Sequence, residues 1–294
     1  AVGGVSIRTA AQFDESLRKI AALTDTSAET VNSWREDVRK LAVQYGATGT
    51  AAAEALFSIA GAGIKGDKAM EALEASLIGA AIGLGDAATV SDAATSAMNA
   101  YAKSGMTATR ATEILAAGIN WGKMEATQLA PVLGSLTGTS SALGISFEDV
   151  VATLAVFSLT GTNAAEGATQ LSAIMSTMLG TSQEAEKALA DVGLSLAQLR
   201  EMAAGPRGIL NVMRLLNERF DGQLDKLALV IPNIRAFRGV MNALAQDSAH
   251  VDKVFAGVTD SHGNLAQSLK EMEGPAMAMR RAWAQLTDAA IAIG

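Results

Sequence analysis

Almost every apolar run in this sequence is preceded by Ser, Thr, Asp or Asn and followed by Gly. Small polar residues accept the orphan N–H groups of a helix start, and glycine tolerates the left-handed backbone that ends one. A chain punctuated this way every ten to twenty residues is a series of short helices. Residues 144–179, GISFEDVVATLAVFSLTGTNAAEGATQLSAIMSTML, show the pattern at its clearest. Ser146 caps a first helix, Glu148 and Asp149 lie in its first turn where the dipole favours negative charge, and Val150, Leu154 and Phe157 recur at helical spacing. Gly161 stops it. Asn163 and Glu166 make a capping box for a second helix, whose apolar face is Leu171, Ile174, Met175 and Met178. Two amphipathic helices with so short a break fold back as a helical hairpin. Phe57-Ser58-Ile59-Ala60-Gly61 closes an earlier helix as Phe157-Ser158-Leu159-Thr160-Gly161 closes this one, and both lead into an apolar helix, a degenerate hairpin repeat.

The same reading along the chain predicts a loose lead-in over 1–8, then helices over 10–23 and 26–45, the second with a Thr26/Glu29 capping box and Gly46 as its stop. Helices follow over 50–60, 67–84, 90–104 (capped by Thr89 and Asp92), 108–120 and 125–142, the last interrupted at Pro131. After the hairpin come 182–192 (capped by Thr181 and Glu184), 196–204 (Ser195 and Gln198), 208–220, 223–231, 233–246, 248–256, 264–273 and 276–293, with Pro275 in a first helical turn. The expected fold is all-α, a multi-helix assembly of short capped helices and hairpins without significant sheet. Composition agrees: 49% of residues are hydrophobic but only 4% aromatic, which suits close-packed helices with small contact residues and not a sheet core. Charge divides the chain into a charged helix pair (1–45), an Ala/Gly-rich hairpin core (46–180) and a more charged helical region (181–294) that leads into a long helix from about Ala276.

The net charge of −7 disfavours a nucleic-acid binder relying on phosphate contacts. Absence of cysteine removes disulfides and thiolate chemistry. No stretch reaches the roughly 18 apolar residues of a membrane span, and no leader pattern opens the chain. It begins with Ala and stops within an apolar helical pattern, and is read as a fragment of a longer protein.

Motifs for chemistry fail on physical grounds. Gly61, Gly63 and Gly66 fit G-x-G-x-x-G with Asp86 about 20 residues on, but a dinucleotide fingerprint needs a strand before the glycines, and AAAEALFSIA is a helix pattern. Glu148 and Asp149 point in different directions and are accounted for by the helix start. His250 and His262 have no ligand-spaced neighbours. Ser16-Leu17-Arg18-Lys19 matches S-x-x-K without its companion motifs. Gly79 and Gly83 are spaced for close helix approach. Met98, Met106, Met124, Met175, Met178, Met202, Met213 and Met241 fill gaps between helices, and the arginines of 200–238 either pair with a partner's carboxylates or form a solvated face. No catalytic, cofactor or metal residue is assigned, and no enzyme activity is expected.

In order along the chain, KIAALTDTSAETVNSWREDVRKLAVQYGATGTAAAEAL (19–56), ALFSIAGAGIKGDKAMEAL (55–73), DAATVSDAATSAMNAY (86–101), LAPVLGSLTGTSSALGISFEDVVATLAVFSLTGTNAAEGATQLSAIM (129–175), ADVGLS (190–195) and LNVMRLLNERF (210–220) resemble the core region of the phage tail tape measure proteins. The second hairpin turn departs from that pattern, with TGTNA where the first keeps AGIKG. The resemblance implies a virion structural protein that acts as a ruler inside the tail tube during assembly and is released at DNA ejection. It implies no cofactor and no catalytic residue in this core. Its implied partners are the tail tube protein, tail tip or baseplate hub proteins, tail assembly chaperones, further copies of itself, and the host membrane at ejection, without sequence-specific nucleic-acid binding. A ruler should be extended, whereas this segment is frequently broken. It is therefore expected to be a folded docking domain with the measuring helix outside it. Two other readings compete: a membrane-active, pore-forming helical protein, motivated by the Gly/Ala-rich stretch 75–88, and a helical cell-wall hydrolase.

Overall fold

The computed structural model describes residues 2–124, 126–180, 182–221 and 223–293, with the side chains of 2–7 and 126 left aside. Seventeen α-helices and one 3-10 turn occur among the described residues, and no strand. They are α1 (Val2–Leu23), α2 (Ala28–Tyr45), α3 (Gly49–Gly61), α4 (Asp67–Ala81), α5 (Ala87–Ala100), a 3-10 turn (Ala102–Ser104), α6 (Ala108–Trp121), α7 (Ala126–Ala142), α8 (Phe147–Leu159), α9 (Ala164–Leu179), α10 (Gln183–Asp191), α11 (Leu196–Ala203), α12 (Gly208–Phe220), α13 (Leu224–Val230), α14 (Ile234–Leu244), α15 (Ser248–Thr259), α16 (Asn264–Glu271) and α17 (Pro275–Ile293). The all-α expectation holds.

Several helix starts follow the sequence reading. Ser146 and Asn163 accept from the backbone N–H groups of Asp149 and Glu166, and Ser195 and Gln198 form a reciprocal capping box. Others move. α1 begins at Val2, so residues 2–8 are helical and not a loose lead-in. Ser27, not Thr26, caps α2, and the Thr26 hydroxyl is buried without a hydrogen-bond partner. Asp86 caps α5 three residues before the expected Thr89, whose N–H it accepts. Ser182 caps α10, while Thr181 lies outside the described residues. Pro131 sits inside α7 without ending it; near a helix start, the hydrogen bond that proline forgoes is one of few.

The chain forms two compact units, residues 1–116 with 262–294, and 117–261. They are defined by packing, not by the charge boundaries near 46 and 181. In the first unit α3 is central and touches α1, α2, α4, α5 and α17. It presents mainly small side chains: Ala52, Ala53, Ala55 and Ala60 are buried with Leu56 and Ile59. Tyr45 of α2 donates to Glu74 of α4 at 2.5 Å, and burial with that carboxylate pushes its phenol pKa well above the usual range. Gly79 brings α4 close to its neighbours, because a Cβ there would lie 2.8 Å from Val90 Cγ1 and 3.0 Å from Thr112 Cγ2. Gly83 plays a different part, ending α4 at φ +96° with nothing near it.

In the second unit α8 is central, touching α7, α9, α12, α14 and α15. It is buried at every position from Asp149 to Ser158. α8 and α9 do form the expected hairpin, although α9 lies more extensively against α14 and α7. Ser158 ties the loop after α6 to α8, accepting the Lys123 N–H at 2.8 Å while its hydroxyl donates to the Ala155 carbonyl.

Candidate functional site

The most unusual polar group in the second unit is Asp149. It stands in the first turn of α8, as its position in the sequence implies, but its carboxylate is only 3% exposed. One oxygen accepts the Arg207 N–H at 3.1 Å, and the other the Gly208 N–H at 2.9 Å. Asp149 is therefore the cap of α12, supplied from a different helix, because α12's own N-cap residue Arg207 makes no side-chain capping bond. Burial pushes the Asp149 pKa up to about 6, and the two N–H groups only partly oppose it.

The local backbone is built around this contact. Arg207 is left-handed at φ 55°, unusual for a residue with a side chain. Gly208 leaves no room for a Cβ, which would fall on the Ala203 carbonyl at the end of α11. The Arg207 guanidinium reaches Asp252 of α15 at 3.1 Å, Arg214 approaches the same carboxylate oxygen at 3.4 Å, and Arg214 also donates to Ser248 Oγ at 2.9 Å. Asn211 closes the turn by donating to the Pro206 carbonyl. Helices α8, α12 and α15 are thus joined at one point. Each Asp149 oxygen accepts one backbone N–H at hydrogen-bonding distance, so the arrangement acts as a clamp between α8 and the start of α12.

The other residues singled out in the sequence are placed in turns, caps and packing. Gly61, Gly63 and Gly66 connect two helices, α3 and α4, with Gly63 and Gly66 left-handed, and Asp86 is spent on its cap. No strand precedes the glycines. Ser16 donates to the Gln12 carbonyl and Lys19 pairs with Glu15. His250 and His262 are exposed and lie in different units. Met124, Met175, Met178 and Met213 are buried, and Met98, Met106, Met202 and Met241 are half-buried. Of the arginines, Arg200 donates to the Met178 and Leu179 carbonyls at the end of α9, Arg207 and Arg214 pair with Asp252, and Arg219, Arg235 and Arg238 stay exposed. Among the described residues there is no group of His, Cys, Asp and Glu arranged to hold a metal ion, and no helix is long and apolar enough to cross a membrane. Sequence reasoning found Asp149 but missed its partner. Its only local signal was an Arg-Gly pair after Gly205-Pro206.

Comparison with known proteins gives this arrangement its context. The tape measure protein of Pneumococcus phage Dp-1 is 20% identical over 284 residues, covering 92% of this chain and 24% of that protein. The chain therefore spans about a quarter of that relative's length. No solved structure matches. The family model for phage-related minor tail proteins matches residues 35–229, well over half of the chain. This protein belongs to the phage-related minor tail protein family, as a structural component of a phage tail.

Proposed function

We propose that this segment is a folded assembly domain of a tape measure protein, without enzymatic activity, and that the length-setting helix lies elsewhere in the full protein. The observation that carries this reading is helix length. α1, with 22 residues, is the longest helix among the described residues and spans only about 33 Å. A chain broken into such pieces and gathered into two packed units is poorly suited to measure a tube by its own extension, and well suited to present surfaces. The surfaces would engage the tail tube protein, the tail tip or baseplate hub, or a tail assembly chaperone. On this reading the protein is carried in the virion, released at DNA ejection, and meets the host envelope at that stage. The same packing supports a docking role over a pore-forming one, since the Gly/Ala-rich stretch 75–88 is spent on close contact between α4 and α5.

Tail length measured by negative-stain electron microscopy tests the proposal. Two in-frame deletions of about 30 residues are compared, one within residues 144–179 and one in a helical region of the full protein outside this segment. The outside deletion should shorten tails by about 45 Å, the rise of 30 helical residues, while the internal one abolishes assembly. Tails shortened by the same amount in both cases would make this segment part of the ruler and sink the reading.

A further inference from the structure

Within the second unit, α10 to α13 pack mainly on one another: α10 meets α13, and α12 meets α11 and α13. They reach the remaining helices chiefly through α12, on α8 and α14, and through α11, on α9. The seam between the two groups is apolar. Leu199, Met213 and Leu216 on one side and Ile174, Met178 and Val240 on the other line an enclosed gap of about 10 Å³. Thr177, a polar side chain on that wall, spends its hydroxyl on the Ile174 carbonyl. Polar contacts hold the rim instead. Arg200 of α11 donates to the Met178 and Leu179 carbonyls, the last of α9. Arg207 and Arg214 reach Asp252 of α15, and the Arg207 and Gly208 N–H groups close on Asp149 of α8. All of these contacts are made by α11, α12 and the turn between them.

That turn is held in an unfavourable state on both sides of the contact. Arg207 is left-handed, which a residue with a side chain adopts only where its surroundings impose it. Asp149 is a carboxylate withdrawn from water. We infer that α10 to α13 form a flap that opens as one piece from α8, α9, α14 and α15, with the contact between Asp149 and the Arg207–Gly208 backbone as its latch. Opening frees Arg207 to leave the left-handed region, returns Asp149 to solvent, and bares the apolar faces of α9 and α14 around Ile174, Met178 and Val240. Cooperative opening of such a subset of helices, at lower cost than global unfolding, is a general property of folded chains.

The latch responds to acidity. Burial raises the Asp149 pKa to about 6, against 3.8 once exposed. The closed flap is therefore most favoured below about pH 3.8, opening grows as the pH rises, and it levels off above about 6. Glu148, beside Asp149 on α8, opposes its ionisation and Arg207 favours it. On the other elements packed against α8 and the turn, α7 carries no charge, and Glu166 of α9, Arg235 and Arg238 of α14, His250 and Lys253 of α15, Glu201 of α11 and Glu218 and Arg219 of α12 are exposed.

Native-state hydrogen exchange on the 294-residue chain tests the flap, with protection corrected for the intrinsic pH dependence of exchange. The α10 to α13 amides should share one opening, less protected than α8 and α9, and their protection should fall about 50-fold from pH 4 to pH 7. Asp149→Asn keeps an accepting oxygen but no longer titrates, so this fall should vanish. A thiol supplies a second readout with Asp149 intact, because the chain has no cysteine. Val240→Cys, buried on the seam, should be alkylated faster than Val151→Cys, buried on α8 beside Gly118. Equal protection in α10 to α13 and in α8 and α9, or Val240→Cys labelled no faster than Val151→Cys, would overturn the flap. An Asp149→Asn profile parallel to the parent's would overturn the latch. The inference rests on the packing of the second unit and not on the docking role, so its failure would leave the tail-length experiment untouched.

Discussion

Helices α3 and α8 are the centres of their units, have the same length and share the Phe-Ser-aliphatic ending, yet they solve the packing problem in opposite ways. α3 is a small centre. Its buried positions are mostly alanine, and large side chains come to it from outside: a Cβ added at Gly49 would sit 3.3 Å from the Phe13 ring and 2.8 Å from Ile291. α8 is a large centre, and the helices around it make room with glycine. Gly118 has no space for a Cβ beside Val151, and at Gly239 and Gly167 a Cβ would approach Phe157 at 3.1 and 3.8 Å. The shared ending is also used differently. Phe157 is fully buried where Phe57 is half-buried, and Ser158 is an internal tie where Ser58 bonds Asp92 at the surface. In the second copy Gly161 is the left-handed stop. In the first the helix runs on through Gly61, and Gly63 takes that part, with the Ile64 N–H returning to the Ile59 carbonyl. A repeat visible in letters is thus rotated and extended in space, and local punctuation fixes where helices end more firmly than which face they bury.

The comparison predicts that truncation harms the second unit more than the first. Phe157→Ala removes one of the two fully buried phenylalanines of α8 and should cost about 3–5 kcal/mol. Native-state hydrogen exchange should show protection falling in residues 117–261 and little change in α3 and α5. Equal loss in both units would mean that they unfold as one and that the contrast has no energetic content.

Acidity should also separate the two units. Asp149 in the second holds its proton more tightly folded than unfolded, at about 6 against 3.8. Its contribution is fully present below about pH 3.8 and is lost as the pH rises through 6, a swing of about 3 kcal/mol. Asp14 in the first unit runs the other way: the Arg35 guanidinium holds its carboxyl below the usual range, so its contribution is present above 3.8 and lost on acidification through the lowered pKa. Chemical denaturation from pH 4 to pH 7 should therefore show Asp149→Asn with a weaker fall in stability than the parent. A parent and variant with parallel profiles would show that Asp149 is not the titrating group.

Overfilling should reverse the ranking of the units. Ala55 is fully buried in α3, and Ala55→Leu forces extra volume into the small centre at about 1–3 kcal/mol, although leucine is a good helix former. Thermal unfolding followed with Trp34, which is buried in α2 of the same unit, should register the loss.

These effects divide along the line between what the sequence shows and what it hides. Helix identity was legible because capping is chemistry between residues three apart, as at Ser146, Asn163 and Ser195. It slipped where two capping residues compete within a few positions, Thr26 with Ser27 and Asp86 with Thr89, since the choice depends on which residue takes the extended backbone. The Asp149 clamp was not legible. Its donors lie 58 and 59 residues away, and the left-handed Arg207 that delivers them has no local signature. For the same reason α17 could be foreseen as a helix but not as one whose three charged side chains all bond neighbouring segments.

The smallest effect concerns that helix. Asp288 and Arg39 pair through two hydrogen bonds with their side chains about a quarter exposed, so solvent screens part of the attraction and Asp288→Ala should cost only about 1 kcal/mol or less. If α17 were held mainly by charge, removing this pair would release it. Burial of Met277, Ala284 and Ile291 argues otherwise, because each contributes apolar area that no salt concentration removes. Hydrogen exchange of the α17 amides should therefore change little in Asp288→Ala and rise strongly in Met277→Ala. The reverse order would make α17 an electrostatically held strap, attached by contacts that salt could undo.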